Sequence, residues 1–263
     1  MTDEAVPADL SRLWRLPAPA RLGRPAKLDV DRVVRAAVDF ADRSGLGAVT
    51  LLKVAQTLGF TKMALYRHVG SKDELFELMA DFAIGPAPDL GIAPIDWRAG
   101  LRQWAHAMRA VYAEHPWLPQ IPISGPPRGP NTIGWMDAAL RALADTGLPW
   151  ATKAGILMLV SGHVRQASLL TQDVTEALRG TGLDEAQVNR NYRRTLAKLV
   201  DPDRFPEAAA LLAGPLFETP PDADTDVAED DFVFALELIL NGVAAEIDRA
   251  SDSVEQMPGP RGG

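Results

Sequence analysis

Residues 50–72 read TLLKVAQTLGFTKMALYRHVGSK, a pattern of two short helices joined by a tight turn. Thr50 can cap the first helix and Thr61 the second, because a threonine oxygen accepts a free N–H group of the first turn. Gly59 lies between the two helices and can adopt the positive φ that such a sharp turn commonly needs. The segment is therefore predicted to be a helix-turn-helix.

One predicted helix lies on each side of this motif. Valine and alanine recur at helical spacing over residues 30–41, and Asp29 can cap the start of that helix. Downstream, Ser71 and Glu74 have the spacing of a capping box, in which each side chain accepts the backbone N–H of the other residue. These helices predict a helix-turn-helix domain over residues 27–84.

The second helix of such a motif lies in the major groove of DNA and presents its first residues to the base edges. Lys62 can donate to guanine, and the methyl group of Ala64 suits a thymine methyl. Tyr66 either belongs to the core or places its hydroxyl at a phosphate, and His68 either contacts a phosphate or has a surface or packing role. The predicted base-contacting residues are Thr61, Lys62, Met63 and Ala64, and the predicted phosphate-contacting residues are Tyr66, His68 and Lys72.

The distribution of charge favours a polyanionic partner for the N-terminal part of the chain. The chain of 263 residues has a net charge of −8, yet residues 10–72 hold 12 of its 27 lysines and arginines against four acidic residues. A basic unit on an acidic body is typical of a small nucleic-acid-binding domain that carries a second domain. Residues 1–26, with four prolines and four arginines, are predicted to form a flexible basic arm. Its arginines either stay solvated or enter a minor groove.

Composition and motifs exclude several other classes of protein. The chain is 47% hydrophobic and 24% charged, an ordinary globular balance, and it has no cysteine for disulfide or thiolate chemistry. No apolar stretch is long enough to span a membrane and no secretory signal opens the chain, so we expect a cytoplasmic protein. The histidines are few and no phosphate-binding or dinucleotide-binding fingerprint occurs. The sequence therefore predicts no catalytic residue, no metal site and no cofactor.

The rest of the chain is predicted to be a larger helical domain over residues 90–250, so the predicted fold class is all-α. Residues 116–130 hold six prolines and residues 214–226 are rich in proline and acid, and both are predicted to be loops. Residues 251–263 are predicted to be a flexible tail. The predicted helices of the larger domain cover residues 96–115, 131–146, 150–173, 184–200, 205–213 and 228–250.

Residues 31–78 resemble the DNA-binding domain of the TetR (tetracycline-repressor-like) transcriptional regulators. The resemblance is carried by VTLLKVAQTLGFTKMALYRHVGSKDEL, in which many positions agree with the family pattern at once. One position departs from it, because Leu52 stands where the tetracycline repressor has a base-contacting arginine. The resemblance implies phosphate contacts for Thr50, Tyr66 and Lys72 and base contacts for Lys62 and Met63.

Two further segments resemble the ligand-binding and dimerisation domain of the tetracycline-repressor branch. They are DWRAGLRQWAHAMRAVYAEHPWLPQ and DDFVFALELILNGVAAEID. The resemblance implies a homodimer in which residues 150–173 and 228–250 of each subunit form a four-helix bundle. Both segments are apolar on more than one face, which favours burial. The implied function is a ligand-responsive repressor that a small effector releases from a pseudo-palindromic operator in double-stranded DNA.

The body of the chain is rich in tryptophan and methionine, which either fill the core or line an effector pocket. Scarce histidines and absent cysteines favour an apolar or aromatic organic effector over a metal ion. A small-molecule enzyme or carrier with a helix-turn-helix-like assembly domain is one alternative, and an architectural DNA-binding protein without an effector is another. The predicted ligand-binding residues are Trp104, Met108, Trp135, Met158, His163 and Gln166.

Overall fold

The chain folds into helices joined by turns and loops. The computed structural model describes residues 6–17, 28–91, 96–214 and 227–255, and within these ranges it contains no β-strand. The predicted all-α class is therefore confirmed. The helices are α1 Ala8–Leu13, α2 Val30–Ser44, α3 Leu51–Leu58, α4 Lys62–Leu65, α5 Lys72–Ile84, α6 Trp97–Glu114, α7 Pro130–Ala142, α8 Trp150–Leu178, α9 Glu185–Leu196, α10 Pro206–Ala213 and α11 Val227–Glu255.

The described part of the chain forms two compact units. One unit holds the chain up to Ser168 together with the chain from Leu238 onward, and the other holds the segment from Leu169 to Glu237. The predicted domain limits, residues 27–84 and 90–250, do not coincide with these units and stay a prediction. Helices α1 to α7 all belong to the first unit.

Helices α2 to α5 pack around one hydrophobic core in the first unit. The predicted start of α2 is confirmed, since the Asp29 carboxylate accepts the Arg32 N–H at 2.7 Å. Gly45 ends this helix with a φ of +75°. The helical spacing that predicts α2 also predicts which of its faces is buried. Fully buried side chains of this core are Val33, Val34, Val54, Leu65, Leu75 and Leu78.

The first 26 residues are not all a flexible arm, because they include helix α1. Leu10 and Leu13 lie three residues apart on one face of α1, and both pack into the core of the helix-turn-helix domain. Arg12 pairs with Glu74 of α5. A helix of six residues is too short to show a periodicity, and its stability comes from packing, so the sequence pattern does not reveal it. Residues 18–26 lie outside the described part of the chain.

Several helix ends differ from the prediction. Helix α8 continues to Leu178 and α11 to Glu255, so the first residues of the predicted tail, 251–263, are helical. Neither extension contains the proline or glycine that commonly ends a helix. Helix α9 ends earlier than predicted, at Leu196, and continues as a turn. Residues 215–226, most of a predicted loop, lie outside the described residues.

Asp81, near the end of α5, joins this helix to the start of α7. Gly129 precedes α7 and has no side chain to cap it, and Asp81 supplies the acceptor, since its Oδ1 accepts the Thr132 N–H at 2.9 Å. A Cβ atom on Gly129 would lie 2.0 Å from this oxygen, so glycine leaves the room that the contact needs. Burial raises the pKa of the Asp81 carboxyl, and the bond from Thr132 opposes the rise. The contact fastens α7 to α5.

A second link joins the end of α6 to α2. The Asp42 carboxylate accepts the indole N–H of Trp117 at 2.5 Å and lies 2.8 Å from Nδ1 of His115. Trp117 is buried in the same core as α2 to α5. Two residues further on, the carbonyl of Pro119 accepts a bond from Nε of Arg165 in α8 at 2.8 Å. The core of the helix-turn-helix domain is thus continuous with parts of α6 and the turn that follows it.

Replacing Asp81 tests the link between α5 and α7. We expect Asp81→Ala to lower the free energy of unfolding by about 1–3 kcal/mol, because it leaves the Thr132 N–H without its acceptor. Urea denaturation followed by circular dichroism measures this change. An unchanged free energy of unfolding would show that the trans-helix cap does not stabilise the fold.

Asp81→Asn is the matched control, because it keeps an oxygen acceptor and removes the buried charge. A raised pKa in the folded state means that Asp81 favours folding below its ordinary pKa of 3.8 and loses this contribution as the pH rises. The wild-type protein should therefore lose stability relative to Asp81→Asn as the pH rises from 3.8 toward neutrality. A constant difference across that range would contradict the effect of burial.

Candidate nucleic-acid interface

The two helices of the predicted motif meet across a turn whose geometry follows from local hydrogen bonds. Thr50 Oγ1 accepts the Lys53 N–H at 3.2 Å and so caps α3. Gly59 ends α3 in the left-handed region with a φ of +74°, and the Phe60 N–H donates to the carbonyl of Ala55 at 2.9 Å. Val54 and Ala55 of α3 are completely buried. The predicted caps and the left-handed glycine are therefore present.

Helix α4 is a single turn with a defined start. Thr61 Oγ1 accepts the Ala64 N–H at 3.3 Å, which caps the helix as predicted. The α-helical turn ends at Leu65, earlier than the predicted end near Val69. The N–H groups of His68 and Val69 both donate to the carbonyl of Leu65, so hydrogen-bonded turns continue the chain to Val69. Because Leu65 and Val69 are fully buried, the residues between them are held against the domain.

Most of the predicted DNA-contacting side chains lie on the surface. Met63, an apolar side chain at the start of α4, is 72% exposed. Tyr66 is 40% exposed, so its interpretation as a core residue is wrong, and Lys62 Nζ lies 5.6 Å from the centre of its ring. The exposed members of the set are Thr61, Lys62, Met63, Tyr66 and Lys72, and the half-buried members are Thr50, Ala64 and His68.

The start of α5 differs from the predicted capping box in one of its two bonds. Ser71 Oγ accepts the Glu74 N–H at 3.0 Å, as predicted. Glu74 Oε2 accepts the N–H of Gly70 at 2.9 Å in place of the predicted bond to the Ser71 N–H. The same oxygen also accepts a bond from Arg12 Nη2 at 2.8 Å. The turn before α5 is therefore tied to α1, a contact that the sequence pattern does not contain.

The surface of the motif is electropositive. Residues 50–72 include no aspartate or glutamate, so no carboxylate within the motif neutralises its bases. A phosphate backbone binds such a surface through charge and the release of counterions. The exposed basic side chains of the motif are Lys53, Lys62, Arg67 and Lys72. Two of these exposed bases, Lys53 and Arg67, are not among the DNA-contacting residues predicted from the sequence, although their charge could have indicated them.

Comparisons with known proteins agree with this surface. Residues 33–79 match the family model of bacterial regulatory proteins of the tetR family, and residues 88–247 match the model of the tetracyclin repressor-like C-terminal domain. The chain belongs to the TetR family. The second match alone covers more than half of the chain, and the two matches together extend from α2 to α11.

Two similar proteins illustrate the relationship. The HTH-type transcriptional repressor DrrR1 of Streptomyces coeruleorubidus is 34% identical over 240 residues, which cover 89% of this chain and 84% of the relative. The structure of ActR from Streptomyces coelicolor in complex with actinorhodin has a TM-score of 0.69 and 26% identity, and it covers 84% of this chain and 99% of that chain. ActR is also known in complex with (S)-DNPA, with a TM-score of 0.68, 26% identity, and coverage of 84% of this chain and all of that one.

These findings establish the class of function. The chain is a ligand-responsive, DNA-binding transcriptional repressor of the TetR family. Its family consists of transcriptional regulators, which normally have no enzymatic activity. Within the described ranges, no helix is long and apolar enough to cross a membrane, and no three acidic or histidine side chains form a group suited to a metal ion.

Three of the six predicted ligand-binding residues, on α6 and α7, are buried. Trp104 and Trp135 are buried, with ring centroids 5.7 Å apart in an edge-to-face arrangement. The indole N–H of Trp104 donates to the carbonyl of Trp135 at 2.9 Å, and that of Trp135 donates to the carbonyl of Gly85 at 3.1 Å. Met108, one helical turn after Trp104 in α6, is also buried. The tryptophan pair therefore connects α6, α7 and the residue that ends α5.

The other three residues lie on α8, and the structure does not bring all six together. Met158 is 72% exposed, Gln166 is exposed and His163 is half-buried. Met158 and Gln166 are eight residues apart and share a face of α8, whereas Ile156 and Val160 occupy its buried face. The sequence did not separate these faces because apolar residues occur all around this helix.

Gly59 provides a test of the turn between α3 and α4. We expect Gly59→Ala to lower the free energy of unfolding by about 1 kcal/mol, because an L-residue is disfavoured at a φ of +74°. Thermal and urea denaturation measure this change. Gly47→Ala is the matched control, since Gly47 has no positive φ and a Cβ there meets nothing within 4 Å. Equal effects of the two substitutions would contradict the strain expected at Gly59.

Proposed function

We propose that the protein acts as a cytoplasmic homodimer that places one α4 helix of each subunit in the major groove of a pseudo-palindromic operator. The exposed side chains of Lys62 and Met63 at the start of a capped helix carry this proposal. In dimers built on a helix-turn-helix, half-sites lie about one DNA turn, roughly 34–36 Å, apart. We propose base contacts for Thr61, Lys62, Met63 and Ala64 and phosphate contacts for Thr50, Tyr66, His68 and Lys72.

The proposed dimer rests on apolar surface that a single subunit leaves exposed on α8 and α11. Met158 and Leu159 of α8 and Leu238 of α11 are each more than half exposed. Gly155 and Gly242 are small residues on these helices, and a Cβ at either position would meet nothing within 4 Å. Exposed apolar surface of this kind marks a protein interface, and small residues let helices approach closely. We propose that the two helices pair with those of a second subunit in a four-helix bundle.

We propose that an apolar or aromatic organic compound is the effector and that it binds beside the Trp104–Trp135 pair. Two solved complexes of the similar protein ActR contain organic ligands, actinorhodin and (S)-DNPA. The indole of Trp135 is bonded to Gly85, so a compound that displaces this ring would act directly on the end of α5. A compound that binds more tightly to a conformation with the wrong spacing of the recognition helices would release the operator. Control of operator affinity, without catalysis, is the function we propose.

Two lysine substitutions test the proposed DNA contacts. Lys72→Ala should weaken the binding of every duplex similarly and reduce the slope of log K against log salt by about one, because it removes one phosphate contact. Lys62→Ala should instead change the preference among duplexes, since Lys62 faces base edges. Fluorescence anisotropy at several salt concentrations measures both effects, with a duplex that the wild-type protein selects from a randomised pool and with variants of that duplex.

Lys198→Ala is the matched control for these substitutions. Lys198 is exposed but lies in the second compact unit, outside the proposed interface, so its loss should leave binding unchanged. If Lys62→Ala and Lys72→Ala both behave like Lys198→Ala, the proposed orientation of the helix-turn-helix on DNA is wrong.

A charge on α11 tests the proposed dimer. Ala245 is exposed and lies two helical turns after Leu238 on the same face of α11. Ala245→Arg should therefore shift the protein from dimer to monomer, because an unpaired charge buried in an apolar interface costs about 3 kcal/mol or more. Ala113→Arg is the control, since Ala113 is an exposed alanine on α6, outside the proposed bundle. Light scattering coupled to size-exclusion chromatography measures the mass of each variant. A stable dimer of Ala245→Arg would count against this use of α11.

A further inference from the structure

Helix α1 lies upstream of the residues that match the TetR DNA-binding family model, residues 33–79. It nevertheless packs on the domain, since Leu13 is buried in the core. Arg12 on the same helix reaches the start of α5, where its Nε and Nη2 atoms bond to the two carboxylate oxygens of Glu74. A paired guanidinium and carboxylate with two parallel bonds fixes both side chains in orientation.

Glu74 also contacts the backbone of the turn before α5. Its Oε2 atom accepts both the Arg12 bond and the Gly70 N–H, at 2.8 and 2.9 Å. Gly70 directly precedes Ser71, which caps α5, and Lys72, the first residue of the helix. The carboxylate therefore fixes the backbone that carries Lys72, a proposed phosphate-contacting residue.

The presence of glycine at position 70 supports a specific contact between the Glu74 carboxylate and the Gly70 N–H. Gly70 has no positive φ, so its backbone conformation does not call for glycine. A Cβ atom at this position would lie 2.7 Å from Glu74 Oε2 and 3.3 Å from Arg12 Nη2. Glycine at position 70 thus leaves the space in which the carboxylate approaches the N–H group.

We propose that Arg12 is a positioning residue for DNA binding, acting through Glu74 and Gly70 on the turn that presents Lys72 to a phosphate. The guanidinium holds the carboxylate against the Gly70 N–H and offsets a negative charge that would repel the DNA backbone. The helix upstream of the recognised DNA-binding domain is therefore part of the DNA-binding apparatus. This inference rests on the proposed contact between Lys72 and DNA.

Two other roles for Arg12 make different predictions. If Arg12 touched a phosphate itself, Glu74 would only add unfavourable charge, and its removal would tighten DNA binding. If the pair only stabilised the fold, its removal would lower the melting temperature without changing the affinity of the folded protein for DNA. The positioning role predicts that removal of either partner weakens binding.

The experiment measures the affinity of full-length variants for the duplex that the wild-type protein selects, at a temperature where each variant is folded. Arg12→Ala and Glu74→Ala should each weaken binding about tenfold, a typical effect of losing one charged contact, and the double variant should be no weaker than either single variant. Arg12→Lys, which keeps the charge but not the two parallel bonds, should restore part of the affinity.

Each substitution has a matched control at a residue of the same charge. Asp73→Ala removes a carboxylate beside Glu74 without touching Gly70, so binding should stay unchanged or become tighter. Arg141→Ala removes a base that pairs with Asp137 on α7, outside the proposed interface, and its effect on binding should be small. NMR can monitor the exchange of the Gly70 amide hydrogen with solvent. This exchange should be faster in Arg12→Ala and Glu74→Ala than in the wild-type protein, and unchanged in the controls.

Tighter binding by Glu74→Ala, or additive losses from Arg12→Ala and Glu74→Ala, would overturn the proposal. If Arg12→Ala fails to fold, Gly70→Ala provides the same test, because the added Cβ would displace the Glu74 carboxylate while the substitution leaves every charge in place. Unchanged DNA binding by Gly70→Ala would also overturn the proposal. If Lys72→Ala leaves binding unchanged, the proposed DNA contact itself is wrong. If Lys72→Ala weakens binding and the Arg12 and Glu74 variants do not, only the positioning role fails.

Discussion

Helix α5 cannot move without disturbing contacts at both of its ends. At its start, Glu74 holds the Gly70 N–H, and near its end Asp81 caps α7 through the Thr132 N–H. These two carboxylates lie about two helical turns apart, and between them Leu75 and Leu78 are buried in the core of the helix-turn-helix domain. A closely packed helix of this length moves as a rigid body, so a displacement of α7 reaches the turn that carries Lys72.

This arrangement suits a repressor that responds to a ligand. In the proposed dimer, operator affinity would depend on the spacing of two recognition helices, and a rigid connection would turn a small shift in the body into a change of that spacing. Trp135 of α7 is bonded to Gly85 at the end of α5, and Trp104 of α6 packs against Trp135. An effector beside this pair would need only a difference in affinity between two arrangements of α5 to change operator binding.

The sequence predicts those parts of the structure that depend on neighbouring residues. The caps at Thr50 and Thr61 and the left-handed Gly59 each need only a few adjacent positions, so the amino-acid pattern alone locates the helix-turn-helix. The bond between Arg12 and Glu74 joins residues 62 positions apart, and no local pattern indicates it. Asp81 and Thr132 are likewise distant in sequence. Helix α8 has apolar residues on several sides, so the sequence does not indicate which of its faces is buried. The exposure of Met158 could therefore not be predicted.

The pattern of lysine protection on DNA binding tests the account most directly. Acetylation of each lysine, read by mass spectrometry with and without saturating amounts of the selected duplex, reports which side chains DNA covers. Lys62 and Lys72 are exposed in the free protein and should become protected, whereas Lys198 in the second compact unit should react equally in both states. Equal acetylation of Lys62 and Lys72 with and without bound DNA would contradict the proposed interface.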